Sequence, residues 1–371
     1  MKIMKKGLVL LLSLVLVVSM FTACGKKNEA TSTETTPEAT EAAATEAPEA
    51  TEAPEATEAP ATADAAKTGL AVISSIAKST NAGEAEGLAE VDSYIAAVLV
   101  GADGKILDCT IDAAQTKVNF TTEGKITTDL ATEFKTKQEL GTEYGMLKAS
   151  AIGKEWNEQA DAFAAYVVGK TVEEVKGIAV NEEGLAGDAD LVASVTVHVG
   201  DLIAVVEKAV TNAQELGATS TDKLGLGVST NIAKSTDAGA EAGLAQAYSN
   251  YAVITTDAAG KITSCVIDAS QSNVNFDAKG VVTSDLAAAL QTKQELGAGY
   301  GMAKASSIGK EWFEQANALA VYVVGKTIDE VKGIALTEEG TPADADLASS
   351  VTVHIGDYTN VIDKAVANAA K

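Results

Sequence analysis

The stretch YIAAVLVGADGKILDCTID at residues 94–112 decides the fold. An apolar run stops at Gly101, Asp103-Gly104 supplies what a tight reversal needs, and a second β-prone run follows. That order predicts two antiparallel strands joined by a short turn. In the second run, alternation puts Leu107, Cys109 and Ile111 on one face and Asp108, Thr110 and Asp112 on the other. Downstream, EWNEQADAFAAYVVG (155–169) lines Trp156, Ala160, Phe163 and Val167 along one side of a helix that stops at Gly169. TVEEVKGI (171–178) reads as a short helix and LVASVTVHV (191–199) as an extended segment. LIAVVEKAVTNA (202–213) reads as a last helix, with Asp201 as its N-cap. Strands followed by helices, without regular alternation, predict an α+β fold: a small antiparallel sheet packed with helices.

The same pattern occurs twice. GLAVISSIAKST (69–80) returns as GLGVSTNIAKST (225–236), TKQELG (136–141) at 292, IGKEW (152–156) at 308 and YVVGKT (166–171) at 322. Every pair is 156 residues apart, without a gap, so the unit is domain-sized rather than a solenoid turn. The expected organisation is a leader at 1–23, Cys24 with a tether to residue 67, a first domain at 68–215, a linker at 216–223 and a second domain at 224–371.

The leader has a basic start, MKIMKK, then the apolar run 7–23, then Cys24-Gly25. This is a secretory signal whose end resembles a bacterial lipobox, which implies lipid on Cys24 and a location on the outer face of the cell membrane; the alternative is an uncleaved membrane helix, since residues 7–23 are just long enough to span a bilayer. Four of the five prolines (Pro37, Pro48, Pro54, Pro60) lie in the Thr/Glu/Ala-rich segment that follows, which holds too little apolar material to bury a core. As a coil it would span roughly 35 Å. The formal charge of −24 repels phosphate backbones, so nucleic acid is not an expected partner.

The residue inventory excludes several chemistries. There are two histidines in all, His198 and His354, one per copy. No Gly-x-Ser-x-Gly elbow, Walker loop or dinucleotide fingerprint is present, and no cysteine–histidine cluster would hold zinc. Cys109 and Cys265, one per copy, read as inert buried thiols. The acidic residues read as a solvated surface rather than a paired catalytic site, so no catalytic residue is assigned.

What remains is the repeated string ADLVASVTVHVGD (189–201) and ADLASSVTVHIGD (345–357). Asp190-x-x-Ala193-Ser194-Val195-Thr196 and Asp346-x-x-Ser349-Ser350-Val351-Thr352 resemble the flavinylation motif of the FMN-binding domain family, whose final hydroxyl carries FMN through its phosphate. The resemblance covers both copies and is closest to the tethered flavoproteins of extracellular electron transfer in Gram-positive bacteria. It implies two covalent FMN groups per chain, on Thr196 and Thr352, attached by an external flavin transferase. A membrane-bound reductase or quinol would be the electron donor and an extracellular acceptor the sink. Valine stands at 195 and 351 where the family has alanine, and Ala193 replaces a hydroxyl residue in the first copy only.

A ring pocket is expected from Tyr144, Met146, Trp156 and His198, and from Tyr300, Met302, Trp312 and His354, because aromatic and thioether groups pack on flat rings. For the tryptophans, plain core packing is the competing expectation. Polar residues repeated nearby are Lys148, Ser150, Lys154 and Gln159. The alternative to an electron carrier is a non-redox tethered surface protein that binds or scaffolds a partner.

Overall fold

The computed structural model describes residues 64–371; the leader, Cys24 and the tether up to residue 63 lie outside the described residues. The first copy contains β1 (Lys67–Ser75), β2 (Gly87–Val100) and β3 (Ile106–Phe120), then α1 (Lys137–Leu140), α2 (Trp156–Val167), α3 (Val172–Lys176), α4 (Ala189–Val192) and α5 (Gly200–Thr211). The second repeats the order as β4 (Lys223–Asn231), β5 (Gly243–Thr256), β6 (Ile262–Phe276), α6 (Lys293–Leu296), α7 (Trp312–Val323), α8 (Ile328–Lys332), α9 (Ala345–Ala348) and α10 (Gly356–Ala369). Each copy forms a three-stranded antiparallel sheet in the order β1-β2-β3 or β4-β5-β6. The α+β class is therefore as the sequence reads.

Both faces of each sheet are covered. Ala96, Val98 and Val100 of β2 pack with Cys109, Ile111 and Ala113 of β3 against α2 and α5. Their neighbours Ile95, Ala97 and Leu99 point the other way and meet Leu224, Leu226, Val228, Tyr251 and Val253 of the second copy. The two sheets thus lie face to face with helices outside, in the layer order α/β/β/α. A strand buried on both faces needs apolar residues at every position, which is why Ile95–Val100 reads as a continuous run.

Contacts between the copies are reciprocal. Phe120 stacks on its own counterpart Phe276, ring centroids 4.2 Å apart and planes 6° from parallel. The Ala82 N–H donates to the Gly280 carbonyl and the Ala238 N–H to the Gly124 carbonyl, each at 2.8 Å. Lys208 pairs with Glu295 and Lys364 with Glu139. One part of the seam is not symmetric: hydroxyls of Thr68, Ser264, Thr255 and Thr263 form a chain at 2.6–2.7 Å that ends on the Asp222 carboxylate. Residues 64–66, placed in the tether by sequence, pair instead with the linker: the Ala66 N–H reaches the Ala218 carbonyl at 2.9 Å.

Three local expectations need correction. Register slips between Leu99 and Val100, leaving Leu107 as the extra residue of a bulge. Leu107 therefore packs toward the second copy, while Cys109 and Ile111 keep the helix side. Residues 191–199 are not a strand: α4 runs through Val192, and the Val195 N–H bonds back to the Leu191 carbonyl at 2.8 Å. Asp188 starts this turn by accepting the Asp190 N–H, and residues 193–199 continue as turn and loop into α5 with Val195 and Val199 buried. Finally, α5 begins at Gly200 with Val199 at the N-cap; Asp201 sits in the first turn, where its charge faces the positive helix end.

Candidate functional site

Thr196 lies half-buried in the loop between α4 and α5. Its N–H donates to Gln159 Oε1 at 2.7 Å, its hydroxyl donates to the same oxygen at 3.2 Å, and the Val197 N–H adds a third bond at 3.2 Å. Gln159, fully buried in α2, turns its Nε2 to Ser150 Oγ and the Lys154 carbonyl, both at 3.1 Å. Only this amide orientation works, because backbone N–H groups require an acceptor and a carbonyl requires a donor. The second copy repeats the arrangement: Gln315 Oε1 accepts the Thr352 N–H at 2.8 Å and its hydroxyl at 3.2 Å. Gln315 Nε2 donates to Ser306 Oγ at 3.1 Å.

An amide oxygen orients the threonine hydroxyl but cannot take its proton at neutral pH. The site therefore presents an alcohol in a fixed place without a base to activate it.

The adjoining loop is built by Glu155, whose carboxylate accepts the Met146 and Leu147 N–H groups at 2.8 and 3.0 Å and which heads α2 in a capping box with Glu158. Glu311 does the same for Met302 and Ala303. These loops carry Lys148 and Lys154, and Lys304 and Lys310. None of the four takes part in an ion pair among the described residues.

Not all expected pocket residues converge on the threonines. His198 is exposed and lies across the turn at Gly184, whose φ is +79° and where an added Cβ would come within 3.2 Å of the ring. His354 sits likewise on Gly340. With residues 191–199 no longer extended, nothing places Thr196 and His198 on one strand face, and no hydrogen bond joins them among the described residues.

Trp156 and Trp312 are buried in the helix–sheet cores, with Tyr144, Met146, Tyr300 and Met302 packed against their edges. These aromatics gather around a lysine: Lys137 Nζ lies 4.7 Å from the Tyr144 ring centre and 5.2 Å from that of Trp156. Lys293 Nζ lies 4.7 Å from Tyr300 and Tyr248 and 5.2 Å from Trp312. In the second copy the cage is extended, since Trp312 Nε1 donates to Tyr358 Oη at 2.9 Å and Lys293 to Tyr248 Oη at 3.0 Å. Sequence reasoning missed both lysines, because lysine in a Thr-Lys-Gln-Glu-Leu helix start reads as solvated.

Burial pushes the Cys265 thiol up to about 12 and raises Cys109 as well, so both stay protonated. Burial also raises Asp112 and Asp268 to about 7, against the lowering effect of hydrogen bonds from Thr136 or Thr292 and two backbone N–H groups each. These carboxyls line two matching clefts at the seam, of about 430 and 480 Å³. Among the described residues no group of His, Cys, Asp and Glu is set to hold a metal ion, and no helix is long and apolar enough to cross a membrane. No family model, curated protein or solved structure matches the chain.

Proposed function

We propose that this chain is a lipid-anchored extracellular electron carrier with FMN attached through phosphate to Thr196 and Thr352. The supporting observation is the identical setting of the two threonines: each lies half-buried in an α4–α5 or α9–α10 loop, its N–H and hydroxyl held by one buried glutamine oxygen. A fixed alcohol without an internal base suits attachment by an external flavin transferase, the chain being its substrate. Lys148, Lys154, Lys304 and Lys310 supply positive charge in an otherwise acidic chain. When bound, FMN would supply the redox chemistry, and the protein its placement and charge environment. A quinol or membrane reductase would be the donor, and an extracellular acceptor the sink.

The test is intact-mass analysis of full-length protein produced with a flavin transferase. Two covalent FMN groups are expected, one after Thr196→Ala or Thr352→Ala, and none after both. Under limiting transferase Thr352 should load first, since Ser349 keeps the hydroxyl that Ala193 lacks. Covalent flavin in the double variant would place the linkage elsewhere. A flavin-free wild type would favour a tethered binding protein, with the two clefts at the seam as its ligand sites.

A further inference from the structure

Helices α2 and α7 are the same helix of the repeat, yet their outward sides differ. The buried side changes at one position, Phe163 becoming Leu319. The other three differences are Asn157 to Phe313, Asp161 to Asn317 and Ala165 to Val321. They lie four residues apart on the side away from the sheet, so they form one row along the helix. Each change makes the second copy's row less charged, less polar or larger and apolar. Val321 is 73% exposed, and Val324 follows at the helix end at 38%. Beside the row, Val321 joins Ala318, Tyr322 and Leu347 in a groove of about 460 Å³ between α7 and α9. A single exposed valine is ordinary, but three matched changes along one row of a repeated helix mark an interaction surface.

We propose that this row of α7 is where a second copy of the chain docks, helix on antiparallel helix, across a two-fold axis at Asn317. Such an axis sets Phe313 of one chain against Val321 of the other, twice, so one row satisfies both sides of the contact. It also sets Asn317 against its own counterpart. Asn317 Oδ1 accepts from Gln294 Nε2 at 2.8 Å, and its Nδ2 donates to no group among the described residues, which leaves it for the facing amide. Charge selects the same partner. With a formal charge of −24, two copies repel across most of their surfaces, and they can approach where carboxylates are absent. The α7 row holds none, whereas Asp161 stands in the α2 row. A basic partner would be served by keeping that carboxylate; an acidic one is served by the amide. Glu314 borders the row, but the axis separates the two Glu314 residues by about 9 Å along the helices, beyond the ~8 Å screening length. One pair of 12-residue helices buries too little surface for a permanent dimer, so the association is weak and depends on concentration. It requires no flavin.

Sedimentation velocity of the full chain in a neutral detergent, over a range of protein concentrations, tests this. A monomer that shifts to a dimer as concentration rises is expected. Asn317→Asp restores the residue of the first copy and keeps the acceptor for Gln294, so the fold tolerates it. By placing two carboxylates on the axis it should raise the dimer dissociation constant on the order of tenfold. Val321→Asp should weaken the dimer further, whereas Ala165→Asp, at the matching exposed position of α2, should leave it unchanged. An equimolar mixture of Asn317→Asp and Asn317→Lys chains should associate more tightly than either alone, because an axis at this residue brings the opposite charges together. A monomer at every concentration overturns the proposal and leaves the row to a different protein. So does a dimer that ignores Val321→Asp, or one that Ala165→Asp weakens equally.

Discussion

Replacing Asp112 with asparagine should make the protein more stable at pH 8 and flatten its response to pH. The carboxyl is buried at the junction of β3 and α1, where Oδ1 accepts the Ala113 N–H at 2.7 Å and the Gln138 N–H at 3.1 Å. Asparagine keeps that oxygen, and its amide N–H can donate to the Thr136 hydroxyl. Burial raises the group from 3.8 to about 7, which corresponds to at most about 4 kcal/mol against the ionised form. Because the folded-state value is the higher one, the unfolded chain loses its proton first as pH rises. Stability therefore falls between about pH 4 and pH 7, and the full cost is present above pH 7. For a folded unit of this size each kcal/mol moves the melting temperature by roughly 2 °C, so Asp112→Asn should raise it by up to about 8 °C at pH 8. At pH 4 it should change little. Asp268→Asn should do the same, because its carboxyl accepts the matching Ala269 and Gln294 N–H groups. Thermal melts followed by circular dichroism at pH 4, 6 and 8 check this. A variant equally destabilised at every pH would refute the burial argument.

Phe120→Ala removes one ring of the stack at the seam and should cost about 3–5 kcal/mol. A single lowered calorimetric transition is expected; loss of one half with the other unaffected would show that the copies do not share a core. Asn250 is buried on β5 with neither side-chain oxygen nor nitrogen partnered within the protein. Asn250→Leu should stabilise by about 1 kcal/mol, and a lower melting temperature would show that a bound water satisfies the amide. Gln159→Leu strips the acceptor from two backbone N–H groups and the Thr196 hydroxyl. It should slow flavin loading at Thr196 and leave Thr352 unaffected, as read by peptide mass spectrometry. Cys24→Ser should block lipidation and leave the leader attached; an unchanged mature N-terminus would refute the lipobox.

The hairpin was legible because its apolar runs and Asp103-Gly104 are local signals, and α2 because Trp156, Ala160, Phe163 and Val167 share one side. Leu107 was misplaced since a bulge depends on the partner strand, which alternation within one strand does not reveal. The valine-rich 191–199 suggested a strand by propensity, but only Leu191 and Val192 belong to an element, the end of α4, and the rest is the turn and loop leading to α5. Thr196 could be picked out as a motif. Its bond to Gln159 could not, since 37 residues separate them and only the packing of α2 joins them. The face-to-face sheets were foreshadowed by the unbroken run Ile95–Val100, but the repeat alone did not say that each copy would cover the other.

The pairing of residues 64–68 with residues 214–220, the end of the first copy and the start of the linker, has a mechanical side. The Ser220 N–H bonds the Asp64 carbonyl at 2.7 Å, the Ala66 N–H the Ala218 carbonyl at 2.9 Å, and Thr68 and Gln214 exchange bonds at 2.9 and 3.0 Å. Tension arriving along the chain at Asp64 loads these bonds together when it acts along the strand, as shear, and one after another when it acts sideways. Because the opposing segment is the connection between the copies, the pull enters at their seam rather than at one end. Neither the Thr196 loop nor the Thr352 loop lies on that load path, so tension entering at Asp64 leaves both loops undisturbed until the seam itself gives way.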